Sequence, residues 1–123
     1  MKTAKELVSA AKSKVKTCSS LEAAQKLKED SSLVVVDVRE PDEYSEAHLD
    51  TSTNIPRGVL EWKISEAYPD SDQAMLIHCA TGGRAVLSAK SLMELGYKNV
   101  TAIDGNFAEI SDAFSAKEPT SSG

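Results

Sequence analysis

Two apolar runs constrain this chain more than anything else in it. SLVVVDV (32–38) and AMLIH (74–78) show no alternation of polar and apolar residues. A strand with one face in water would need that alternation, so both runs suit parallel strands covered on both sides. Parallel neighbours need long crossovers, and the segments between and around the runs carry helical spacing.

From Thr3 to Lys16 the residues Ala4, Leu7, Val8, Ala11 and Val15 recur every three or four positions, predicting an amphipathic helix. Ser19 or Ser20 caps a second helix that carries Glu22 and Glu29 and buries Leu21, Ala24 and Leu27. The link from Val15 to Cys18 suits an edge strand. Pro41, with Asp42 and Glu43, opens a short helix ending near His48. STNIP (52–56) reads as a short strand closed by Pro56, and GVLEWKISEAY (58–68) as a helix through Leu60, Ile64 and Ala67. A helix from Gly83 or Arg84 to Leu95 presents Val86, Ala89, Leu92 and Met93, and Gly96 ends it in the left-handed conformation. NVTAI (99–103) is a strand, and Asp104 is the expected cap of a last helix through Phe114. The expected fold is α/β, a central, mostly parallel sheet of about five strands with helices on both faces. Residues 1–30 form an N-terminal helical part of the domain, 31–114 its core and 115–123 a loose tail.

A chain of 123 residues suits one domain with a single core. Its net charge of −5 argues against a general nucleic-acid binder, which needs a basic face. No apolar run approaches the ~20 residues of a membrane span, and the opening MKTAKELVSAAKSKVK lacks a signal-peptide core. A cytoplasmic protein is expected, with Cys18 and Cys79 as free thiols. Besides these there are only His48 and His78 and no Cys-x-x-Cys, so no metal site is expected. Neither a dinucleotide fingerprint nor a Walker loop occurs, so no cofactor is implied.

The stretch MLIHCATGGRAVL (75–87) holds the chemistry. In open α/β sheets ligands bind beyond the carboxyl ends of the strands, and Cys79 falls there, between a strand and a helix. The loop CATGGR presents backbone N–H groups around the sulfur, with the positive end of the helix dipole behind them. Gly82 and Gly83 allow the turn that makes these groups converge on an anion, and Arg84 adds a positive charge. A thiol so placed is expected to have its pKa lowered from about 8.5 by a unit or more. From residue types alone, a reactive thiol and a buried cysteine beside a glycine turn carry equal weight. Position at the strand end favours the reactive reading.

VVVDVREPDEY, NIPRG, IHCATGGRA, LGYKNV and IDGNF, in that order, resemble the rhodanese-like sulfurtransferase domain over about Leu33 to Phe114. The resemblance implies a single-domain sulfurtransferase in which Cys79 takes a sulfane sulfur from a small anionic donor such as thiosulfate. The resulting persulfide passes its outer sulfur to cyanide or a thiol, a protein acceptor included. It further implies that the loop N–H groups of Ala80, Thr81, Gly82, Gly83 and Arg84 hold the persulfide and that Arg84 aids donor binding. Arsenate reductases and dual-specificity phosphatases share the fold with one more residue between cysteine and arginine. Here four residues, Ala80 to Gly83, intervene, the sulfurtransferase length. Where the family usually has glycine, this chain has Ala47, Asp50 and Asn106, and Phe114 stands where a tryptophan is common. The alternative reading is a persulfide carrier or protein-interaction module without significant turnover, and a weaker one is a phosphatase or arsenate reductase relative.

Several residues are assigned supporting places. Asp37 is expected to fix loop N–H groups and Arg39 to pair with Glu43. Arg57 is either a donor-attracting residue at the pocket mouth or an ordinary surface arginine. Trp62 either lines the pocket or buries its ring against the sheet, the second being commoner. His78 points to the face opposite Cys79, which makes it a hydrogen-bonded supporting residue rather than a base. His48 is expected to be structural, and Cys18 to be inert unless the fold brings it to Cys79.

Overall fold

The computed structural model describes residues 1–115. Among these, five strands form one sheet, β1 (Lys16–Cys18), β2 (Val34–Asp37), β3 (Ser52–Asn54), β4 (Met75–His78) and β5 (Val100–Ile103). Six helices accompany them, α1 (Ala4–Lys12), α2 (Ser20–Glu29), α3 (Pro41–Glu46), α4 (Leu60–Ala67), α5 (Gly83–Leu95) and α6 (Phe107–Ser115), with a 3-10 turn at Arg57–Val59. The spatial order is β1-β5-β4-β2-β3 and every pairing is parallel.

Burial explains the two apolar runs. Alternate residues of β2, β4 and β5 enter two separate cores, one on each side of the sheet. Val36, Ile77 and Ala102 pack with Leu60 and Ile64 of α4, Val86, Ala89 and Leu92 of α5, and Ala11 of α1. Val35, Leu76 and Ile103 pack on the other side with Ala23 of α2 and Ile110 of α6. A strand buried on both faces has no position left for a polar residue until it reaches the sheet's end.

Capping sets where the helices begin. Thr3 and Ser19 accept from the N–H groups of Glu6 and Glu22, both at 3.1 Å, and each glutamate returns a bond to its cap's N–H. The first helix ends at Lys12, short of the expected Lys16, because the chain must turn into β1. Leu7 is half exposed, while Val8 and Ala11 of the helix and Val15 after it pack against the core. In α2 the inward positions are Ala23, Ala24 and the half-buried Leu27, so Leu21 stands outside at 73% exposure, contrary to expectation. Ala67 and Met93, also placed on inward stripes by spacing, are exposed as well.

Gly96 ends α5 at φ +112, as its position after the apolar stripe predicts. The last helix is capped by Asn106 rather than Asp104. Glu109 N–H donates to Asn106 Oδ1 and Asn106 N–H to Glu109 Oε1, both at 2.9 Å. Asp104 instead pairs with Lys12 at 3.3 Å. Ser115 is the last residue of α6, and the remainder of the expected tail, 116–123, lies outside the described residues. No helix among the described residues is long and apolar enough to cross a membrane.

Candidate active site

Cys79 is the first residue after β4, and its loop leads directly into α5. Two backbone bonds anchor the approach: Val38 N–H donates to His78 O at 3.0 Å, and Phe107 N–H to Ala80 O at 2.9 Å. The second ties the cysteine loop to the start of α6. Cys79 itself is fully buried in the core on the α5 side, whereas Thr81 is exposed and Ala80, Gly83 and Arg84 are half-buried.

The sulfur takes two backbone hydrogen bonds, from Gly82 N–H at 3.0 Å and Ala85 N–H at 3.3 Å. Both donors sit at the N-terminal end of α5, where N–H groups have no partner within the helix. Gly82, at φ +101, is the helix cap. A Cβ there would find only ordinary contacts, the nearest at 3.7 Å from Asp104 Oδ1, so conformation rather than space calls for glycine. Ala85 lies one residue beyond the loop named from sequence. A strand-to-helix turn of known length could have pointed to it, since first-turn N–H groups face back toward the strand end.

Arg84 donates to Glu43 through Nη1 at 2.8 Å and Nη2 at 3.0 Å, a bidentate pair joining the first turns of α5 and α3. Glu43 Oε1 also accepts from Glu40 N–H at 2.9 Å. The Arg84 hydrogen bond, helped by Glu40 N–H, holds the Glu43 carboxyl down at about 2, and the same pairing raises Arg84. This pair replaces the expected one between Arg39 and Glu43. A carboxyl depressed from 4.5 to about 2 stabilises the fold above pH 4.5, and that contribution disappears as pH falls toward 2. Both side chains are 36% exposed, so solvent screening reduces the contribution to about 1 kcal/mol. Urea denaturation from pH 6 down to about 2 should show this loss in the unaltered protein and a flatter profile in Glu43→Gln.

Arg39 turns to Asp37. Its Nε lies 3.0 and 3.1 Å from the two carboxylate oxygens, and Nη2 lies 2.8 Å from Oδ2. Asp37 Oδ1 accepts Arg39 N–H as well, at 2.9 Å, so this carboxylate fixes an N–H of the loop that follows β2. Arg39 Nη2 also donates to Ala47 O, and the guanidinium lies 4.1 Å from the centre of the Phe107 ring. Both charged residues are buried, Asp37 completely.

His78 pairs in register with Asp37 and stacks on Phe107 at 6.1 Å. Among the described residues neither ring nitrogen has a partner within hydrogen-bond geometry, contrary to expectation, and Nε2 stands 3.6 Å from Asp37 Oδ2. Burial is the main cause that lowers its pKa, against the pull of Asp37. The ring belongs to the opposite side of the sheet from Cys79, as strand alternation requires. Asn54, which the sequence did not single out, donates through Nδ2 to Asp37 O at 2.9 Å and Arg39 O at 3.0 Å and closes the same corner.

The remaining candidates lie elsewhere. Arg57 donates to Glu61 Oε2 at 2.8 Å and Ser91 Oγ at 3.1 Å, bracing α4 against α5. Trp62 is 74% exposed, so its ring is not buried against the sheet. His48 follows α3, with Nδ1 2.8 Å from Tyr44 O and its ring stacked on Tyr44. Cys18 is buried in the core on the α2 and α6 side, across the sheet from Cys79, and burial raises its pKa.

The rhodanese-like domain family model matches residues 20–113. A mitochondrial protein of Schizosaccharomyces pombe, named as a candidate thiosulfate sulfurtransferase, is 33% identical, the match covering 72% of this chain and 70% of that one. YrkF of Bacillus subtilis, named as a candidate sulfur carrier protein, is 38% identical over 66% of this chain. This chain spans only 43% of YrkF's length. Among solved structures, a Rhodopseudomonas palustris protein of unknown function, described as a possible tyrosine phosphatase, superposes with a TM-score of 0.84 at 28% identity, covering 96% of both chains. With the five-stranded parallel sheet and a cysteine loop opening onto a helix, these matches lead to one conclusion: the chain belongs to the rhodanese-like sulfurtransferase family.

Proposed function

We propose that the protein transfers a sulfane sulfur from thiosulfate or a persulfide donor to cyanide or a thiol, through a persulfide on Cys79. The observation that carries this reading is the pair of backbone donors aimed at Sγ, Gly82 N–H and Ala85 N–H. In the first half-reaction the Cys79 thiolate attacks the outer sulfur of thiosulfate, an S–S bond forms, and sulfite leaves with the electron pair. Donors fixed at the helix N-terminus stabilise negative charge without reorganising, which suits both the attacking sulfur and the persulfide that replaces it. The backbone of Ala80, Thr81, Gly82 and Gly83 shapes this cradle, and Arg84, paired with Glu43, stands beside it. In the second half-reaction the acceptor takes the terminal sulfur and regenerates the thiolate.

Intact-mass measurement after incubation with thiosulfate should show one added sulfur, removed by cyanide or a reducing thiol. Cys79→Ser should abolish the adduct and Cys18→Ser should leave it. An adduct that persists in Cys79→Ser, or none from thiosulfate or a persulfide donor, would overturn this reading. Ready loading with poor cyanide turnover would favour the carrier reading, which the similarity to YrkF also supports. The likeness to a structure described as a possible tyrosine phosphatase makes phosphate monoesters the comparison substrate. Their hydrolysis without sulfur transfer would favour phosphatase chemistry.

A further inference from the structure

The charges beside Cys79 are more balanced than the sequence suggests. Arg84 is engaged through both terminal nitrogens by Glu43, at 2.8 and 3.0 Å. Glu43 is not a loose surface carboxylate, because Glu40 N–H fixes it from the other side at 2.9 Å. Glu40 adds a second negative charge that acts on Arg84, and Cys79 itself lies close enough to act on the same guanidinium. Arg57, the other arginine expected at the mouth, is bound to Glu61. Neither arginine therefore offers an uncompensated charge to an incoming donor.

We propose that Glu43 is a charge filter: by neutralising Arg84 it turns the Cys79 site toward hydropersulfide donors and away from dianionic thiosulfate. This rests on the persulfide chemistry proposed above and adds the residue that selects among donors. Two donor classes differ in what they bring. Thiosulfate arrives with two negative charges. The Cys79 thiolate bonds to its outer sulfur, the S–S bond of the donor breaks, and sulfite carries away the electron pair and both charges. A hydropersulfide carries one charge as R–S–S⁻, the form that prevails at neutral pH, and reacts as R–S–SH after taking a proton from water, with its reacting sulfurs uncharged. The thiolate bonds to the outer sulfur, the R–S bond to that sulfur breaks, and R–S⁻ leaves with the electron pair while the proton stays on the new persulfide. Only the first route places a dianion beside Glu43 both before and after transfer.

Two measurements test the filter. In a Cys79→Ala background, where no transfer occurs, calorimetric titration gives thiosulfate binding with and without Glu43→Gln. Removing one nearby charge from a partly exposed site should tighten thiosulfate binding about tenfold. In the protein with Cys79 intact, Glu43→Gln should raise kcat/KM for thiosulfate relative to cysteine hydropersulfide by about the same factor. Glu40→Gln, which removes a charge without touching Arg84, should shift the ratio in the same direction by about twofold. Glu66→Gln on α4 should leave it unchanged. If Glu43 merely positioned Arg84, its replacement would lower both donors together, and that parallel fall would overturn the filter. Unchanged thiosulfate binding would overturn it too, even where Cys79 loads normally and the sulfurtransferase reading stands. Tenfold tighter binding in a protein that never forms the adduct would sustain the filter while the sulfurtransferase reading failed.

Discussion

Asp37→Ala is expected to destabilise the protein by about 3–5 kcal/mol, because it leaves the buried Arg39 guanidinium without its charge partner. Asp37 is completely buried and Arg39 is 5% exposed, so water cannot substitute for the lost carboxylate. Two carboxylate oxygens accept from Nε, Nη2 and the Arg39 N–H, and all of these bonds disappear at once. Against a typical total stability of roughly 5–15 kcal/mol, this is a large fraction. Urea denaturation at neutral pH measures it. The double variant Asp37→Leu with Arg39→Met should recover most of the loss, since a buried ion pair replaced by apolar residues of similar volume is often close to neutral. A single-variant cost under about 1 kcal/mol would place the pair with ordinary surface bridges.

Gly82→Ala is expected to slow persulfide formation about 100-fold, the usual scale for losing one fixed donor at a developing anion. Gly82 holds φ +101 while its own N–H points at Sγ from 3.0 Å. An alanine moves toward φ near +60 or leaves the left-handed region, and either change redirects that N–H. The strain itself costs about 1–2 kcal/mol, so the fold survives and the rate can be measured on folded protein. Rapid-mixing measurement of sulfite release in a single turnover isolates this step. Gly96→Ala is the control, because Gly96 has a similar φ of +112 at the far end of α5. It should lose comparable stability and keep its rate. Equal slowing in both variants would mean that the loop's N–H groups do not act on the sulfur.

Helical spacing puts Leu21 on an inward stripe and the aromatic ring of Trp62 suits a pocket wall or the sheet, yet the two stand 73% and 74% exposed. Periodicity gives a helix a stripe, but the rotation of that stripe depends on the neighbours. In α2 the small side chains of Ala23 and Ala24 let the helix approach the sheet, and that choice turns Leu21 outward. Asp104 is the nearer capping residue type after β5, but Asn106 forms the reciprocal pair, with Glu109 three positions later. An asparagine with a glutamate three positions later is a capping signal legible in the sequence.

Ion pairing was the least legible part. Arg39 and Glu43 are four apart, a spacing that suggests a pair, but Arg39 precedes α3, and its fork reaches back to Asp37. Glu43 instead finds Arg84, forty-one residues away. Which charges meet depends on the parallel order that sets β2 beside β4, and with it α3 beside α5.

Local chemistry within a few residues determined the doubly covered strands, the two capping boxes at Thr3 and Ser19, the left-handed end at Gly96, and the place of Cys79 between β4 and α5. These are properties of backbone conformation and short-range burial, and the residues that decide them are neighbours in the chain. Only the tertiary structure decided that Ala85 joins Gly82 on the sulfur, that Asn54 and Phe107 close the corner around Asp37 and Arg39, and that Glu43 neutralises Arg84. Electrostatic and packing partners are selected by distance in space, and the sheet order that sets those distances follows from summed burial on both faces rather than from any local motif.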